Sequence, residues 1–211
     1  MNSDKAAMLE YHLKGRGIYD ARVLRAMGRV PREKFLPENL RDEAYADCPL
    51  PIGAGQTISQ PYIVALMTQL ADLTPESSVL ECGTGQGYQA AVLAEICARV
   101  HTIEIIPELA QKAAANLTAC GYTHVDVKCG DAFEGWPEQG PFDAILITSA
   151  PRQAPPPLLD QLKAGGRLVV PLGAAGAVQQ LTVIRRNDDD TFSHQPIIPV
   201  RFVPFTRKDQ P

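Results

Sequence analysis

Three acidic residues in this chain each lie at or just past the end of a short apolar run, and the first is followed by glycines at alternate positions. Glu81 follows Val79-Leu80 and opens Glu81-Cys82-Gly83-Thr84-Gly85-Gln86-Gly87-Tyr88. Glu104 closes Val100-His101-Thr102-Ile103, and Asp131, in Gly130-Asp131-Ala132, follows His124-Val125-Asp126-Val127. A strand that turns into a helix through residues without side chains offers bare backbone and amide donors to a ligand. The glycine run is therefore a seat for a nucleotide-like cofactor. Carboxylates beside it can accept from ribose hydroxyls and an adenine amino group, and they favour a cationic ligand.

Two cofactor classes compete for such a seat. A dinucleotide fingerprint reads G-x-G-x-x-G, with the third glycine for close helix packing. Here the spacing is G-x-G-x-G and Tyr88 stands where that third glycine belongs. Glu81 would oppose a pyrophosphate but attract a sulfonium. Any one of the three acids could be an ordinary turn or cap residue. Together with the glycines they favour S-adenosylmethionine over a nicotinamide dinucleotide.

The elements that must hold these residues follow from periodicity. Residues 4–45 read as helical: Leu9 and Leu13, then Val23, Leu24 and Met27 on a second helix that Asp20 can cap, then a short piece between Pro31 and Pro37. Residues 46–59 read as irregular, and Ile63, Leu66, Met67 and Leu70 predict a helix from about 60 to 72. Apolar strands are expected near 78–82, 100–104, 124–128, 143–148 and 167–172. Helices are expected between them near 87–98, 107–120 and 156–163, the last stopped by Gly165-Gly166. Beyond Pro171 a hairpin turns at Asn187–Asp190, and Ile197–Phe205 closes the sheet. The predicted fold is α/β: a doubly wound, mostly parallel, Rossmann-like sheet with an N-terminal helical extension and a C-terminal antiparallel hairpin. A single domain over 1–211 is expected, with 1–59 as extension and active-site loop and 60–211 as cofactor-binding core. Ligands of such sheets bind beyond the carboxyl ends of the strands, so Glu81, Glu104, Asp131 and Ser149 should share one edge.

The chain has 211 residues, 45% of them hydrophobic and 21% charged, enough for one sizeable core. A net charge of −4 argues against a nucleic-acid partner held by phosphate neutralisation, although residues 1–41 are locally basic. No apolar run approaches the roughly 18 residues of a membrane span, and Met1-Asn2-Ser3-Asp4-Lys5 lacks an apolar signal region. A cytoplasmic monomer without a membrane partner is expected. Five cysteines without a C-x-x-C fit reduced thiols, and four histidines without zinc spacing predict no metal.

Five segments resemble one family, the protein-L-isoaspartate O-methyltransferases, and together they run through nearly the whole chain. They are Val30-Pro31-Arg32-Glu33-Lys34-Phe35, Gly55-Gln56-Thr57-Ile58-Ser59-Gln60-Pro61-Tyr62, Leu80 to Gln89, Pro141-Phe142-Asp143-Ala144-Ile145 and Val200-Arg201-Phe202-Val203-Pro204. The glycine loop alone would say only methyltransferase; the segment around Ser59 carries the substrate. Cys82 and Gln86 depart from the family's usual aliphatic and serine residues, and Cys82 raises the expectation of a thiol-sensitive pocket.

The resemblance implies methyl transfer from S-adenosylmethionine to the α-carboxylate of L-isoaspartyl residues in damaged proteins and peptides. It implies Ser59 as the catalytic position, orienting the substrate carboxylate rather than attacking, although a serine just before a helix can also be a simple cap. Cofactor contacts are expected from Ile58, Glu81, Gly83, Thr84, Gly85, Gly87, Glu104, Asp131 and Ala132, with Glu104 on the ribose and Asp131 on the adenine amino group. Substrate contacts are expected from Thr57, Ser59, Arg201 and Val203. A methyltransferase for a small molecule or RNA, and a binding protein that has lost catalysis, are the competing readings.

Overall fold

The computed structural model describes residues 3–207. Met1 and Asn2, part of the segment read for a signal region, lie outside the described residues, as do residues 208–211 of the expected domain.

Alternating strands and helices build a seven-stranded sheet in the order β5-β4-β3-β6-β7-β8-β9. Its strands are β3 (Ser78–Cys82), β4 (Arg99–Glu104), β5 (Val125–Cys129), β6 (Phe142–Ile147), β7 (Leu162–Leu172), β8 (Gln179–Arg186) and β9 (Phe192–Val200). β3 to β7 pair in parallel, and β7, β8 and β9 pair antiparallel. The chain steps outward from β3 through β4 to β5, then returns to the other side of β3 as β6. That reversal opens a crevice beyond the ends of β3 and β6, where open α/β sheets bind ligands.

Period-two alternation splits the strand side chains between two apolar layers. Val79, Val100, Ala144, Leu146 and Val169 join the larger layer, which also takes Met8, Leu13, Val23, Met27 and Phe35 of the N-terminal extension. Leu80, Cys82, Ile103, Ile145, Ile147, Leu168 and Val170 fill the other. The extension thus shares its core with the sheet. It comprises α1 (Ser3–Ala7), which runs on through a π-helical stretch Met8–Leu13, and α2 (Ala21–Arg29), whose first turn Asp20 caps by accepting from the Arg22 amide at 2.8 Å.

The remaining helices are α3 (Pro61–Ala71), α4 (Tyr88–Ala94), α5 (Pro107–Ala119) and α6 (Pro156–Asp160). Four local expectations are corrected. Residues 46–59 are not wholly irregular, because β1 (Leu50–Gly53) and β2 (Gln56–Ile58) form a small antiparallel hairpin. α4 ends at Ala94 rather than near 98, since Glu95–Ala98 turn the chain into β4 and the Ala98 amide bonds to Pro75 O at 3.2 Å. Gly165-Gly166 does not end a helix: α6 stops at Asp160 and the pair lies inside β7, at a bulge opposite Phe142/Ala144. Gly165 has φ +77°, and a Cβ on Gly166 would stand 2.8 Å from Lys163 O, so the bulge demands both glycines. β9 is one strand through Val200, and the segment after it is no further strand: the Phe202 amide donates to Gln179 Oε1 of β8 at 2.9 Å, and Pro204 makes an isolated bridge with Ala150.

Candidate functional site

The glycine loop leaves β3 at Cys82 and enters α4 at Tyr88, as the spacing predicts. Gly83 shows why no side chain fits there. Its φ is +103°, and a Cβ would lie 2.5 Å from the Thr148 Oγ1 at the end of β6. That hydroxyl is fixed in turn, its one proton shared between Gly83 O at 2.6 Å and Cys82 O at 3.1 Å. The loop is braced from β4 as well: the Gly85 amide donates to Glu104 Oε2 at 2.8 Å, and the Ile106 amide donates to Oε1 at 3.0 Å. Two lone pairs per carboxylate oxygen leave Glu104 with acceptor capacity toward the cavity it lines.

Glu81 is fully buried, and its register opposite Thr102 sets its partners. Thr102 Oγ1 donates to Glu81 Oε2 at 2.7 Å, and Thr84 Oγ1 lies 2.6 Å from Thr102 Oγ1. Each hydroxyl has one proton, so Thr84 donates to Thr102 and Thr102 to Glu81. Glu81 Oε1 has no hydrogen-bond partner. Burial pushes this carboxyl up to about 8, with the Thr102 bond opposing and the charge of Glu104 adding to the rise. A buried acceptor left without a partner beside a cavity is costly unless something supplies a donor. A cation-bearing ligand would do so.

One cavity collects most of the expected cofactor residues. Glu81, Gly83, Thr84, Gly85, Glu104 and Ala132 line it, together with Ile58 from β2 and Ser149 from the end of β6. Its only charged lining residues are Glu81 and Glu104; no described cation faces it. Its far wall is the segment Val203–Thr206, held by Ala150 N to Val203 O at 2.8 Å and Phe205 N to Ala150 O at 3.1 Å. Gly87 stays outside the lining, at φ +98° as the N-cap of α4. Asp131 also stays outside. It accepts from the Phe133 amide at 2.9 Å as a cap and lies 3.5 Å from the Arg207 guanidinium, which stacks on Phe133.

A second cavity, a groove of about 310 Å³, adjoins the first. Thr57, Ser59, Thr148 and Val203 line both. The groove runs away from them between Tyr62 and Ile63 of α3 and the segment Ile198–Phe202. Its charged lining residues are Arg16 and Arg201, with no carboxylate among the described residues. Ser59 sits where the two cavities meet. The helix after it has Gln60 as its N-cap and no side-chain cap bond, so the Ser59 hydroxyl is not spent on capping α3.

Sequence spacing overlooked three contributors. Thr102 was visible only as a polar residue inside an apolar strand, and Thr148 only as the residue ending β6. Gln86, noticed as a departure, reaches across to Ile52 O at 3.1 Å and ties the glycine loop to the β1–β2 hairpin. The expectation for Cys82 is corrected. Alternation turns its thiol away from Glu81 into the opposite apolar layer, where it is fully buried and burial pushes the thiol up, which disfavours the reactive thiolate. No group of three or more potential metal ligands occurs among the described residues.

Comparison with known proteins gives the site its context. Residues 2–210 match the family model for protein-L-isoaspartate(D-aspartate) O-methyltransferase. A protein-L-isoaspartate O-methyltransferase of Opitutus terrae is 53% identical over 206 residues, 98% of this chain and 88% of the relative. A protein-L-isoaspartate O-methyltransferase 2 of Polaromonas sp. is 54% identical over 192 residues, 91% of either chain. Among solved structures, a protein-L-isoaspartate O-methyltransferase superposes with TM-score 0.84 at 29% identity, over 95% of this chain and 65% of that one. A candidate protein-L-isoaspartate O-methyltransferase from Plasmodium falciparum, in complex with S-adenosyl-L-homocysteine, gives TM-score 0.84 at 26% identity, over 99% and 100% of the two chains.

Proposed function

We infer how this site works from one premise: the chain belongs to the protein-L-isoaspartate(D-aspartate) O-methyltransferase family. It is an S-adenosylmethionine-dependent enzyme that methylates the free α-carboxylate of L-isoaspartyl residues in damaged proteins and peptides, starting their return to normal aspartate through a succinimide. The roles of individual residues are our proposal. The observation that carries it is the division of charge on either side of Ser59 among the described lining residues: two carboxyl groups and no cation on one side, two arginines and no carboxylate on the other.

The cofactor, when bound, supplies a methyl carbon already activated by a positive sulfur. Glu81 and Glu104 suit that cation, and the unpartnered Glu81 Oε1 fits its ammonium group. Gly83, Thr84 and Gly85 bring bare backbone against it, Glu104 takes the ribose hydroxyls, and Ile58 shields the reacting carbon from water. Asp131 and Ala132 receive the adenine at the rim, and Gly87 sets the turn that aims α4.

The acceptor needs no general base, because an α-carboxylate with a pKa of about 3.5 is ionised at neutral pH. No described histidine or lysine lines either cavity, which agrees with a site that aligns rather than deprotonates. Ser59 donates its hydroxyl to one carboxylate oxygen and leaves the other facing the methyl. Thr57 and Val203 hold the peptide backbone on both sides of that point, with Arg201 farther along the groove. Alignment of this kind contributes roughly 7–11 kcal/mol in favourable systems.

The test is a paired incubation with methyl-labelled cofactor of an isoaspartyl peptide and its normal aspartyl twin. Label confined to the isomerised peptide supports the reading; equal labelling, or label only on a small molecule or RNA, overturns it. We further propose that residues 1–211 act as one domain, 1–59 as extension and active-site loop and 60–211 as cofactor-binding core, in a cytoplasmic monomer without nucleic-acid or membrane partners, to be checked by sedimentation and cell fractionation. No described helix is long and apolar enough to cross a membrane.

A further inference from the structure

The two arginines of the peptide groove lie on its side away from the cofactor. The residues common to both cavities are Thr57, Ser59, Thr148 and Val203, whereas Arg16 and Arg201 line only the groove. They are therefore placed away from the carboxylate that receives the methyl. A protein of net charge −4 has nonetheless concentrated cations here and kept every described carboxylate out of the lining.

Arg16 is also held still. Its guanidinium carbon lies 3.6 Å from the centroid of the Tyr62 ring, and Nη1 donates to Asp47 Oδ2 at 2.9 Å. Tyr62 is itself buried in the core, and Gln60 Nε2 donates to Asp47 O at 3.0 Å, fixing the segment that carries the acid. A guanidinium presents five donors in a rigid plane. Asp47 engages one end of that fork and Tyr62 one face, so the rest is pre-oriented and little rotamer freedom remains to be lost on binding. Arg201 is exposed, lines the same groove and adds a second cation.

We propose that Arg16 and Arg201 form an anion-reading subsite, so that isoaspartyl peptides carrying a second carboxylate near the damaged residue, from Asp, Glu or a chain end, are preferred substrates. This rests on the reading of the groove as the peptide site. Asp47 offsets part of the Arg16 charge, and the groove is open to solvent. The preference is therefore modest, roughly two- to fivefold per arginine, in line with exposed ion pairs. It acts on KM rather than on turnover and fades with added salt.

The experiment uses a set of isoaspartyl peptides in which a single Glu, or its Gln counterpart, is moved from three residues before the isoaspartate to three residues after it. The quantity read is the ratio of kcat/KM for each Glu/Gln pair, in wild type, Arg16→Gln, Arg16→Lys and Arg201→Gln. At one or more positions the wild-type ratio should exceed two and fall toward one at 0.5 M NaCl. Arg16→Gln should lower the ratio at that position and Arg16→Lys should restore part of it, with the neutral peptide serving as the internal reference for fold and chemistry. Ratios near one at every position in the wild type, or ratios unaltered in both glutamine variants, overturn the subsite. Failure of the underlying reading would look different: neither member of any pair would be methylated.

Discussion

Replacing Glu81 with glutamine should flatten the pH dependence of the ligand-free protein's stability while loosening its hold on the cofactor. Burial lifts this carboxyl from 4.5 to about 8. Below pH 4.5 both the folded and the unfolded chain carry the proton. Between 4.5 and 8 the unfolded chain has lost it and the folded chain keeps it, so stability falls as the pH rises, by about 1.4 kcal/mol per unit. Above 8 the loss is complete, and the whole shift from 4.5 to about 8 corresponds to about 5 kcal/mol. Urea unfolding of the ligand-free protein at pH 5, 6, 7 and 8 reads this directly: the wild type should decline relative to E81Q along that slope. A cation lodged against Glu81 Oε1 favours the ionised carboxyl, so wild type should release close to one more proton than E81Q on binding S-adenosylmethionine at pH 7. Calorimetry in buffers of different ionisation enthalpy counts those protons, and E81Q should also bind more weakly. Parallel unfolding curves for the two proteins, or equal proton counts, would refute both the buried-acid argument and the role given to Oε1.

Other substitutions probe other parts of the site. Ser59→Ala removes one donor to an ionised acceptor, a loss of about 1.5–3 kcal/mol; kcat/KM for an isoaspartyl peptide should fall roughly 10- to 150-fold, with cofactor affinity by equilibrium titration changed far less. Gly83→Ala forces a Cβ to within 2.5 Å of Thr148 Oγ1 at φ +103°, and strain of about 1–3 kcal/mol should weaken cofactor binding by roughly 5- to 150-fold. Gln86→Ala leaves Ile52 O without its 3.1 Å donor and frees the hairpin that leads into Ser59; steady-state kinetics should show KM for the peptide rising more than the cofactor Kd. Timed labelling of the native protein with a maleimide, read by mass spectrometry, should modify exposed Cys129 first and leave Cys82 unlabelled until the protein unfolds.

Much of the fold was legible because burial on both faces of a parallel strand leaves uninterrupted apolar runs, as at Leu80, Ile103 and Ile145, and because the chain alternates them with helices. What could not be read was whatever depends on a neighbour distant in sequence. A glycine pair can end a helix or make a bulge, and Gly165-Gly166 became a bulge because the carbonyls of Lys163 and Phe142 crowd Gly166. The β1–β2 hairpin has strands of only four and three residues, and it is held from outside by Gln86. The acids were legible by spacing, but the buried state of Glu81 depends on register. Only the pairing of β3 with β4 puts Thr102 opposite it and satisfies one oxygen while leaving the other bare.

The same register gives the charge arrangement its consequence. Glu104, and Glu81 once a bound cation ionises it, face a cavity lined by no described cation, and Arg16 and Arg201 face a groove lined by no described carboxylate, with Ser59 between them. Reactants of opposite charge are each drawn to their own side and meet at the shared wall. Methyl transfer from a positive sulfur to a negative oxygen extinguishes those two charges, while the cofactor's ammonium group against Glu81 and any second carboxylate held by the arginines keep theirs. Only the attraction that acts on the reacting groups is withdrawn from the products, which favours turnover over product retention. Salt should then raise KM for the peptide and for the cofactor by more than it speeds the release of ester and S-adenosylhomocysteine. Stopped-flow release rates as steeply dependent on salt as KM would show that the products are held by the same charges, and this account of release would fail.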